Sequence, residues 1–94
     1  MLNSTKWLQD ASLEVLEKVE NKKALVLYND DVNTFDFVID SLVKVCRHDL
    51  IQAEQCTYLV HYKGKCAVKT GSFKELKPLC EALLDRGLSA NIEN

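Results

Sequence analysis

The sequence lacks both a long apolar run and an excess of positive charge. No stretch approaches the roughly 18 consecutive apolar residues of a transmembrane helix. Its 12 Lys and Arg residues are outnumbered by 14 Asp and Glu residues and form no block, so nothing provides a basic face for nucleic acid. The opening, MLNSTKWLQD, has no basic segment followed by an apolar one, as a secretory signal would. We therefore expect a cytoplasmic protein with neither nucleic acid nor membrane as partner.

Close cysteine pairs are missing as well. The sequence contains no C-x-x-C motif, and its cysteines lie singly in apolar-patterned segments at Cys46, Cys56, Cys66 and Cys80. This pattern predicts buried free thiols, because a free Cys packs as a small hydrophobe. A zinc site that also uses His48 and His61 is the alternative, with ligands drawn from three or four elements without the usual close spacing. We expect no metal and no cofactor.

Signatures of common enzymes are equally scarce. No Ser or Cys lies in a nucleophile elbow, and with only three glycines there is no Gly-rich loop for phosphate. The 94 residues provide one domain with a modest core. A hydrolase in which Asp30 and Asp31 act as acid and base, with His61 as proton shuttle, is the less economical alternative. We predict a binding module with no catalytic residue.

Hydrophobic spacing predicts six elements in the order β-α-α-β-α-β, with strands over 24–28, 65–70 and 88–93. This order indicates one α+β domain, a small sheet with helices packed on one face. The domain spans 23–94, and residues 1–22 form an arm. The arm's apolar residues fit either a short helix or a loosely docked segment.

Helix starts are predicted where a capping residue is followed, three positions later, by an acidic or amide residue that suits the first turn of the helix. The pairs are Asn33 with Asp36, Asp49 with Gln52, and Ser72 with Glu75. Gly64 and Gly87 are predicted to end the second and third helices. Pro78 lies inside the third, which predicts a kink there or a helix whose regular part begins near Lys77.

The segment YNDDVNT, residues 28–34, places Asn29 and two adjacent carboxylates, Asp30 and Asp31, where the first strand ends. Such a cluster needs solvent or a cationic ligand to offset its charge. An amino group fits, because carboxylates and an amide oxygen accept hydrogen bonds while an ammonium only donates them. Composition favours a solvated turn, and a binding site for an amino group stays open beside it. The ligand pattern of a calcium loop is missing.

His61 has two interpretations of its own. Near the end of the second helix, a lone His is typical of a surface residue that interacts with the helix dipole. Beside a carboxylate loop, a neutral His61 would accept one ammonium proton while a neighbour holds its other nitrogen.

The segments ALVLYNDDVNTFDFVIDSLVKV and QAEQCTYLVHYKGKC together resemble the ClpS family, adaptors of bacterial and plastid Clp proteases that recognise N-degrons. The similarity covers about residues 23–93. It implies the fold of the C-terminal domain of the ribosomal stalk protein, with a three-stranded antiparallel sheet and three helices on one face. The implied function is to bind proteins whose first residue is Phe, Leu, Tyr or Trp and to deliver them to an ATP-dependent Clp unfoldase-protease.

The resemblance also implies the site. By position, the residues around the free α-amino group would be Asn29, Asp30, Asp31 and His61. The side-chain pocket would be walled by Leu27, Asn33, Phe35, Val38, Thr57, Val60 and Leu88. The partner would be the N-terminal domain of a ClpA-like or ClpC-like ATPase, and the arm would take part in substrate delivery.

Several positions depart from the family pattern. Phe35 and Thr57 stand where Met is common, Asn33 and Thr34 replace Thr-Pro, and Tyr28 replaces an aliphatic residue. These changes keep an alternative open, an interaction domain of the same fold with altered or lost N-degron specificity.

Overall fold

The computed structural model describes residues 22–94. Its elements are, in chain order, strand β1 (Lys23–Tyr28), helix α1 (Phe35–Cys46), helix α2 (Leu50–Lys63), strand β2 (Lys65–Gly71), helix α3 (Phe73–Asp85) and strand β3 (Ser89–Glu93). The predicted order β-α-α-β-α-β is confirmed. Of the predicted arm, residues 1–21 lie outside the described part of the chain. Within residues 22–94, none of the helices has the length and apolar character needed to cross a membrane.

The first strand occupies the centre of the sheet. The strand order is β2-β1-β3, and both neighbours run antiparallel to β1. Tyr28, the last residue of β1, lies opposite Lys65 of β2 and Ser89 of β3. The end of β1 therefore meets the start of both edge strands, and the loop after Tyr28 emerges beside the turns that lead into them.

The core forms between one face of this sheet and the three helices. Leu25 and Leu27 of β1 are fully buried against Leu42 of α1, Ala53 of α2 and Leu83 of α3. Burying a Leu side chain contributes about 1.5–3 kcal/mol. The fold predicted from the family resemblance, a three-stranded antiparallel sheet with three helices, is confirmed.

The first helix is capped one residue later than predicted. Thr34 is the N-cap, and its Oγ1 accepts a hydrogen bond from the backbone N–H of Phe37 at 3.2 Å. The prediction of Asn33 as cap is wrong because the amide of Asn33 is used elsewhere, as described below. Asp36 does lie in the first turn, where the helix dipole favours negative charge.

The other two helix starts are confirmed. The carboxylate of Asp49 accepts a hydrogen bond from the backbone N–H of Gln52 at 2.7 Å, and α2 begins at Leu50, directly after Asp49. Ser72 and Glu75 form a reciprocal capping box at the start of α3. Each cap stabilises its helix by about 1 kcal/mol, so these boundaries are fixed by local chemistry.

Helix ends follow the predicted glycines. Gly64 at φ 91° and Gly87 at φ 85° adopt the left-handed conformation that Gly takes without steric cost. Pro78 lies inside α3, but the helix is continuous from Phe73. The expectation that its regular part begins near Lys77 is wrong, because the capping box starts the helix one turn earlier.

The turn between α3 and β3 carries a buried apolar side chain. Leu88 was predicted inside the last strand, but β3 begins at Ser89. The backbone N–H of Leu88 donates to the carbonyl of Leu83 at 3.0 Å, which closes the end of α3. Arg86 fastens this turn to α1, since its guanidinium donates to Asp40 Oδ2 at 2.8 Å. Leu88 therefore points its side chain into the core from a fixed turn.

The cysteines are free, as predicted; Cys66 is half-buried, and the buried ones are Cys46, Cys56 and Cys80. Burial raises the pKa of the Cys56 thiol to about 12, and the adjacent Cys66 thiol adds to this effect. Protonated thiols are poor metal ligands. Among the described residues, no three His, Cys, Asp or Glu side chains lie close enough together to hold a metal ion.

Candidate functional site

One cavity, of about 310 Å³, opens at the end of β1. It is lined by Leu27, Tyr28, Asn29, Asp30, Asp31, Asn33, Thr34, Phe35, Val38, Thr57, Val60, His61 and Leu88. All eleven predicted site residues are among them. The residues come from β1, the following loop, α1, α2 and the turn before β3. The fold therefore brings residues that are far apart in the sequence around one cavity.

A backbone contact sets the loop beside α2. The N–H of Asn29 donates to the carbonyl of Gly64 at 2.9 Å. Gly64 is the C-cap of α2, and His61 lies in the last turn of that helix. The first residue after β1 is thereby placed next to the helix end that carries His61.

Asp30 organises the loop. Its Oδ1 accepts from the backbone N–H groups of Val32 at 3.0 Å and Asn33 at 2.9 Å. Its Oδ2 accepts from the side-chain amide of Asn33 at 2.9 Å. The same amide donates to the carbonyl of Gly87 at 3.0 Å. Asp30 and Asn33 thus tie the loop to the turn that carries Leu88.

These contacts change how readily Asp30 ionises. Partial burial is the largest single influence and disfavours the charged form, but the hydrogen bonds from Asn33 and Val32 together outweigh it. The pKa of Asp30 is therefore lower than its ordinary value. The loop holds a carboxylate that stays charged because its own backbone donates to it.

Asp31 is placed differently. Its side chain is exposed, and it makes no hydrogen bond or ion pair with any other described residue. Asn29, two residues earlier, is exposed as well. Both residues line the cavity and keep acceptors that no other described residue occupies, whereas the acceptors of Asp30 are largely occupied.

The side chain of His61 packs against two aromatic rings. Its imidazole lies edge-on to Phe35, with centroids 5.0 Å apart, and to Tyr62 at 4.9 Å. The expected neighbour for its second nitrogen is not found, since within residues 22–94 no hydrogen bond reaches the ring. Phe35 in turn lies edge-on to Tyr58 at 5.4 Å. Aromatic contacts therefore orient His61 and leave its ring nitrogens available to a ligand.

Below this rim the walls are apolar and buried. Leu27, Val60 and Leu88 lose nearly all solvent contact, and Thr57 is 2% exposed. Thr57 donates its hydroxyl proton to the carbonyl of Ala53 at 2.7 Å, so it does not leave an unpaired donor in the pocket. The cavity consequently changes from acceptor groups at the entrance to aliphatic walls inside.

Two lining residues, Tyr28 and Thr34, were not predicted as part of the site. The hydroxyl of Tyr28 bonds the carboxylate of Glu93 on β3, which raises the pKa of the Tyr28 phenol through that hydrogen bond and through desolvation. A sequence signal existed for both residues, because they flank the acidic loop directly. Position alone did not reveal that they also line the cavity.

This arrangement suits a ligand with a cationic head and an apolar body. An ammonium has three hydrogen-bond donors. The carboxylate of Asp31 at the rim offers only hydrogen-bond acceptors. An apolar side chain below it would gain about 1.5–3 kcal/mol on full burial. Among the described residues that line the cavity, no Ser, Thr or Cys side chain is hydrogen-bonded to Asp30, Asp31 or His61 as a nucleophile is to its base.

The chain is similar to known proteins over most of its length. A family model described as "ATP-dependent Clp protease adaptor protein ClpS" matches residues 18–91. The "ATP-dependent Clp protease adapter protein ClpS" of Serratia proteamaculans (strain 568) is 34% identical over 84 residues, which cover 82% of this chain and 79% of that protein. The protein of the same description from Pectobacterium carotovorum subsp. carotovorum (strain PC1) has the same identity and coverage.

The fold is similar to a solved structure, "The structure of Agrobacterium tumefaciens ClpS2 bound to L-phenylalaninamide". The two superpose with a TM-score of 0.72 at 22% sequence identity, over 78% of this chain and 95% of that one. At this identity the likeness shows the shared fold, and the family assignment comes from the sequence matches. The chain belongs to the ClpS family of ATP-dependent Clp protease adaptor proteins and is an adaptor, not an enzyme.

Proposed function

We propose that this adaptor binds proteins that begin with a bulky hydrophobic residue, Phe, Leu, Tyr or Trp, and delivers them to an ATP-dependent Clp unfoldase. Asn29, Asp31 and His61 contact the free α-amino group, while Asp30 shapes the loop and adds negative charge. The side chain of the first residue enters the pocket lined by Val60 and Leu88.

One observation carries the proposal. The carboxylate of Asp31 is exposed and unpaired within the described chain, at the entrance of a cavity whose walls are aliphatic and buried. An ammonium next to an apolar side chain is the feature that distinguishes a free N-terminal residue from an internal one. An internal residue offers a neutral amide with one donor, which would leave rim acceptors unpaired at a cost of about 1–3 kcal/mol each.

The partner is the N-terminal domain of a ClpA-like or ClpC-like ATPase. Family membership supports a Clp ATPase as partner, and the choice between the two types is left to a binding assay with each isolated N-terminal domain. Residues 1–22 take part in handing over the substrate. They precede Lys23 at the start of β1, whereas the pocket lies at the other end of that strand. This role is inferred from the family resemblance.

A peptide titration tests the binding function. Fluorescent peptides that begin with Phe, Leu, Tyr, Trp, Val or Met are compared with an Nα-acetylated Phe peptide by anisotropy. We expect acetylation to weaken binding about tenfold or more, since it removes the charge and two donors. Asp31→Asn and His61→Ala should lower affinity for the free peptide and leave the weak binding of the acetylated peptide unchanged.

Asp36→Asn is the matched control. Asp36 is an exposed carboxylate in the first turn of α1 and does not line the cavity. Its removal changes net charge as Asp31→Asn does, so a general electrostatic effect would appear in both variants. Equal binding of free and acetylated peptides by the wild type would refute the proposed function.

A second candidate is an interaction domain that keeps the fold but has changed its ligand. The ring of Phe35, packed on His61 and Tyr58 at the cavity entrance, favours it, because a fixed ring narrows access. Binding of none of the free peptides, together with retained binding to a Clp ATPase domain, would support this candidate.

A further inference from the structure

The depth of Thr57 in the pocket follows from helix geometry. Thr57 and His61 lie four residues apart on α2 and both line the cavity. Residues at this spacing share a helix face and are separated by about 6 Å along the axis. His61 is exposed at the rim, whereas Thr57 is 2% exposed. Thr57 therefore lies at the depth that the far end of a long side chain reaches when its α-amino group is held at the rim.

The hydroxyl of Thr57 is an acceptor and no longer a donor. Its proton is directed to the carbonyl of Ala53, with Oγ1 2.7 Å from that oxygen. A hydroxyl has one proton and two lone pairs, so Oγ1 keeps accepting capacity. The other deep walls, Leu27, Val60 and Leu88, are aliphatic. A ligand that carries a donor at its tip finds one acceptor among these side chains, and it is Thr57.

The entrance favours flat side chains. The ring of Phe35 lines the cavity and is braced edge-on by His61 at 5.0 Å and by Tyr58 at 5.4 Å. An aromatic ring that passes such a wall gains offset or edge-to-face contacts that an aliphatic side chain does not. The pocket thus combines an aromatic wall above with a single acceptor below.

We propose that Thr57 is a specificity-determining residue, whose Oγ1 accepts a hydrogen bond from a donor at the far end of the first side chain. It selects N-terminal Tyr, through the phenol O–H, and Trp, through Nε1–H, over Phe and Leu. The inference rests on the proposed N-terminal recognition. Because Thr57 is already hydrogen-bonded to Ala53, Phe leaves no unpaired donor behind, and the preference for Tyr over Phe should be about 2- to 10-fold.

The test uses peptides identical except for the first residue, Tyr or Phe, a pair that differs by one hydroxyl. An O-methyltyrosine peptide, which keeps the oxygen but lacks the donor, is the ligand control. Affinities are measured for the wild type, for Thr57→Val, which keeps the shape and lacks the hydroxyl, and for Thr57→Ser, which keeps the hydroxyl. We expect the wild type and Thr57→Ser to prefer Tyr, and Thr57→Val to bind Phe as tightly as Tyr or more tightly.

Two outcomes overturn the inference: wild type that binds Phe at least as tightly as Tyr, or a Tyr-to-Phe ratio that Thr57→Val leaves unchanged. The acetylated Phe peptide is run with every variant. If free and acetylated Phe differ as expected while the Tyr-to-Phe ratio is insensitive to Thr57→Val, the inference about Thr57 fails and the proposed function stands. If acetylation has no effect on the wild type, both fail.

Discussion

Two adjacent aspartates in this protein have different surroundings and, we propose, different tasks. Asp30 accepts three hydrogen bonds from the two residues after Asp31, and Asn33 passes the connection on to Gly87. Asp31 has no such partner and faces solvent. One carboxylate therefore fixes the loop, and the next is available to a ligand.

Asn33 should matter for binding more than its exposure suggests. Asn33→Ala removes the link between Asp30 and Gly87, so we expect about 1–2 kcal/mol lower stability and several-fold weaker binding of a Phe peptide, because the loop must then be ordered on binding. Ser72→Ala is the control, since it removes the cap of α3 at a cost of about 1 kcal/mol and lies outside the cavity lining. Urea unfolding and peptide titration measure both effects. Equal losses of affinity in the two variants would assign the effect to stability alone.

Asp30 should also make stability depend on acidity. Its pKa is lower in the folded protein than in the unfolded chain, so its contribution is fully present above the ordinary carboxyl pKa and is lost as the pH falls through the lower folded-state value. Asp30→Asn should therefore be less stable than wild type at pH 7, and the gap should close on acidification. Urea unfolding of both proteins across the acidic range measures it, and a gap that is independent of pH would contradict this assignment.

The corner between α1 and α2 shows how single elements are joined to the sheet. The ring of His48 is buried, and its Nε2–H donates to the carbonyl of Val68 at 2.6 Å. Val68 is the extra residue at an irregularity of β2, where the register against β1 shifts. From the same strand, Lys69 donates to the carbonyl of Cys46 at 3.2 Å, at the end of α1. The irregular part of β2 is thus hydrogen-bonded to the segment that joins α1 to α2.

Arg47, between these contacts, adopts a left-handed conformation with φ 59° that glycine takes at lower cost. We expect Arg47→Gly to raise the free energy of unfolding by about 0.5–1 kcal/mol, because the relief of strain exceeds the added flexibility of the unfolded chain. Arg47→Ala keeps the Cβ and serves as the control. Urea unfolding compares the three proteins. A glycine variant no more stable than the alanine variant would show that the turn is not strained.

At the scale of the whole molecule, the site exists because the first strand is central. The end of β1 adjoins the starts of β2 and β3, so one loop contacts both the end of α2 and the turn after α3. The helices supply the pocket walls, and the sheet fixes the loop above them. The thirteen cavity residues named above lie between positions 27 and 88.

Binding and delivery should therefore separate in a truncated protein. A chain that starts at Lys22 retains the thirteen cavity residues named above, and we expect its affinity for a Phe peptide to stay within about twofold of the full chain. If the arm takes part in delivery, degradation of a Phe-led substrate by the cognate Clp protease should slow strongly. Fluorescence loss from such a substrate measures delivery, and full-rate degradation by the truncated adaptor would contradict the role of the arm.

Local patterns predicted much of this molecule. Asp49 and Ser72 were identified as caps because their hydrogen bonds reach only three residues along the chain. Asn33 was misassigned because its amide contacts Gly87, 54 positions away, and no local pattern carries that information. The family resemblance predicted the residues that line the cavity, while the partners of each side chain came from the structure.

By itself the sequence determined the order of the elements and the acidic loop after β1, because these depend on hydrophobic spacing and on the chemistry of each side chain. The apolar walls were implied by the family resemblance. Only the tertiary structure decided how Asp30 and Asp31 differ, which side chains brace Phe35, and where the hydroxyl proton of Thr57 is directed. The ring contacts of Phe35 join α1 to α2, which lie apart in the chain, and they exist only once these helices pack together. The hydrogen bonds of Asp30 and Thr57 span two to four residues, but several local partners are open to each side chain and only the folded backbone selects one.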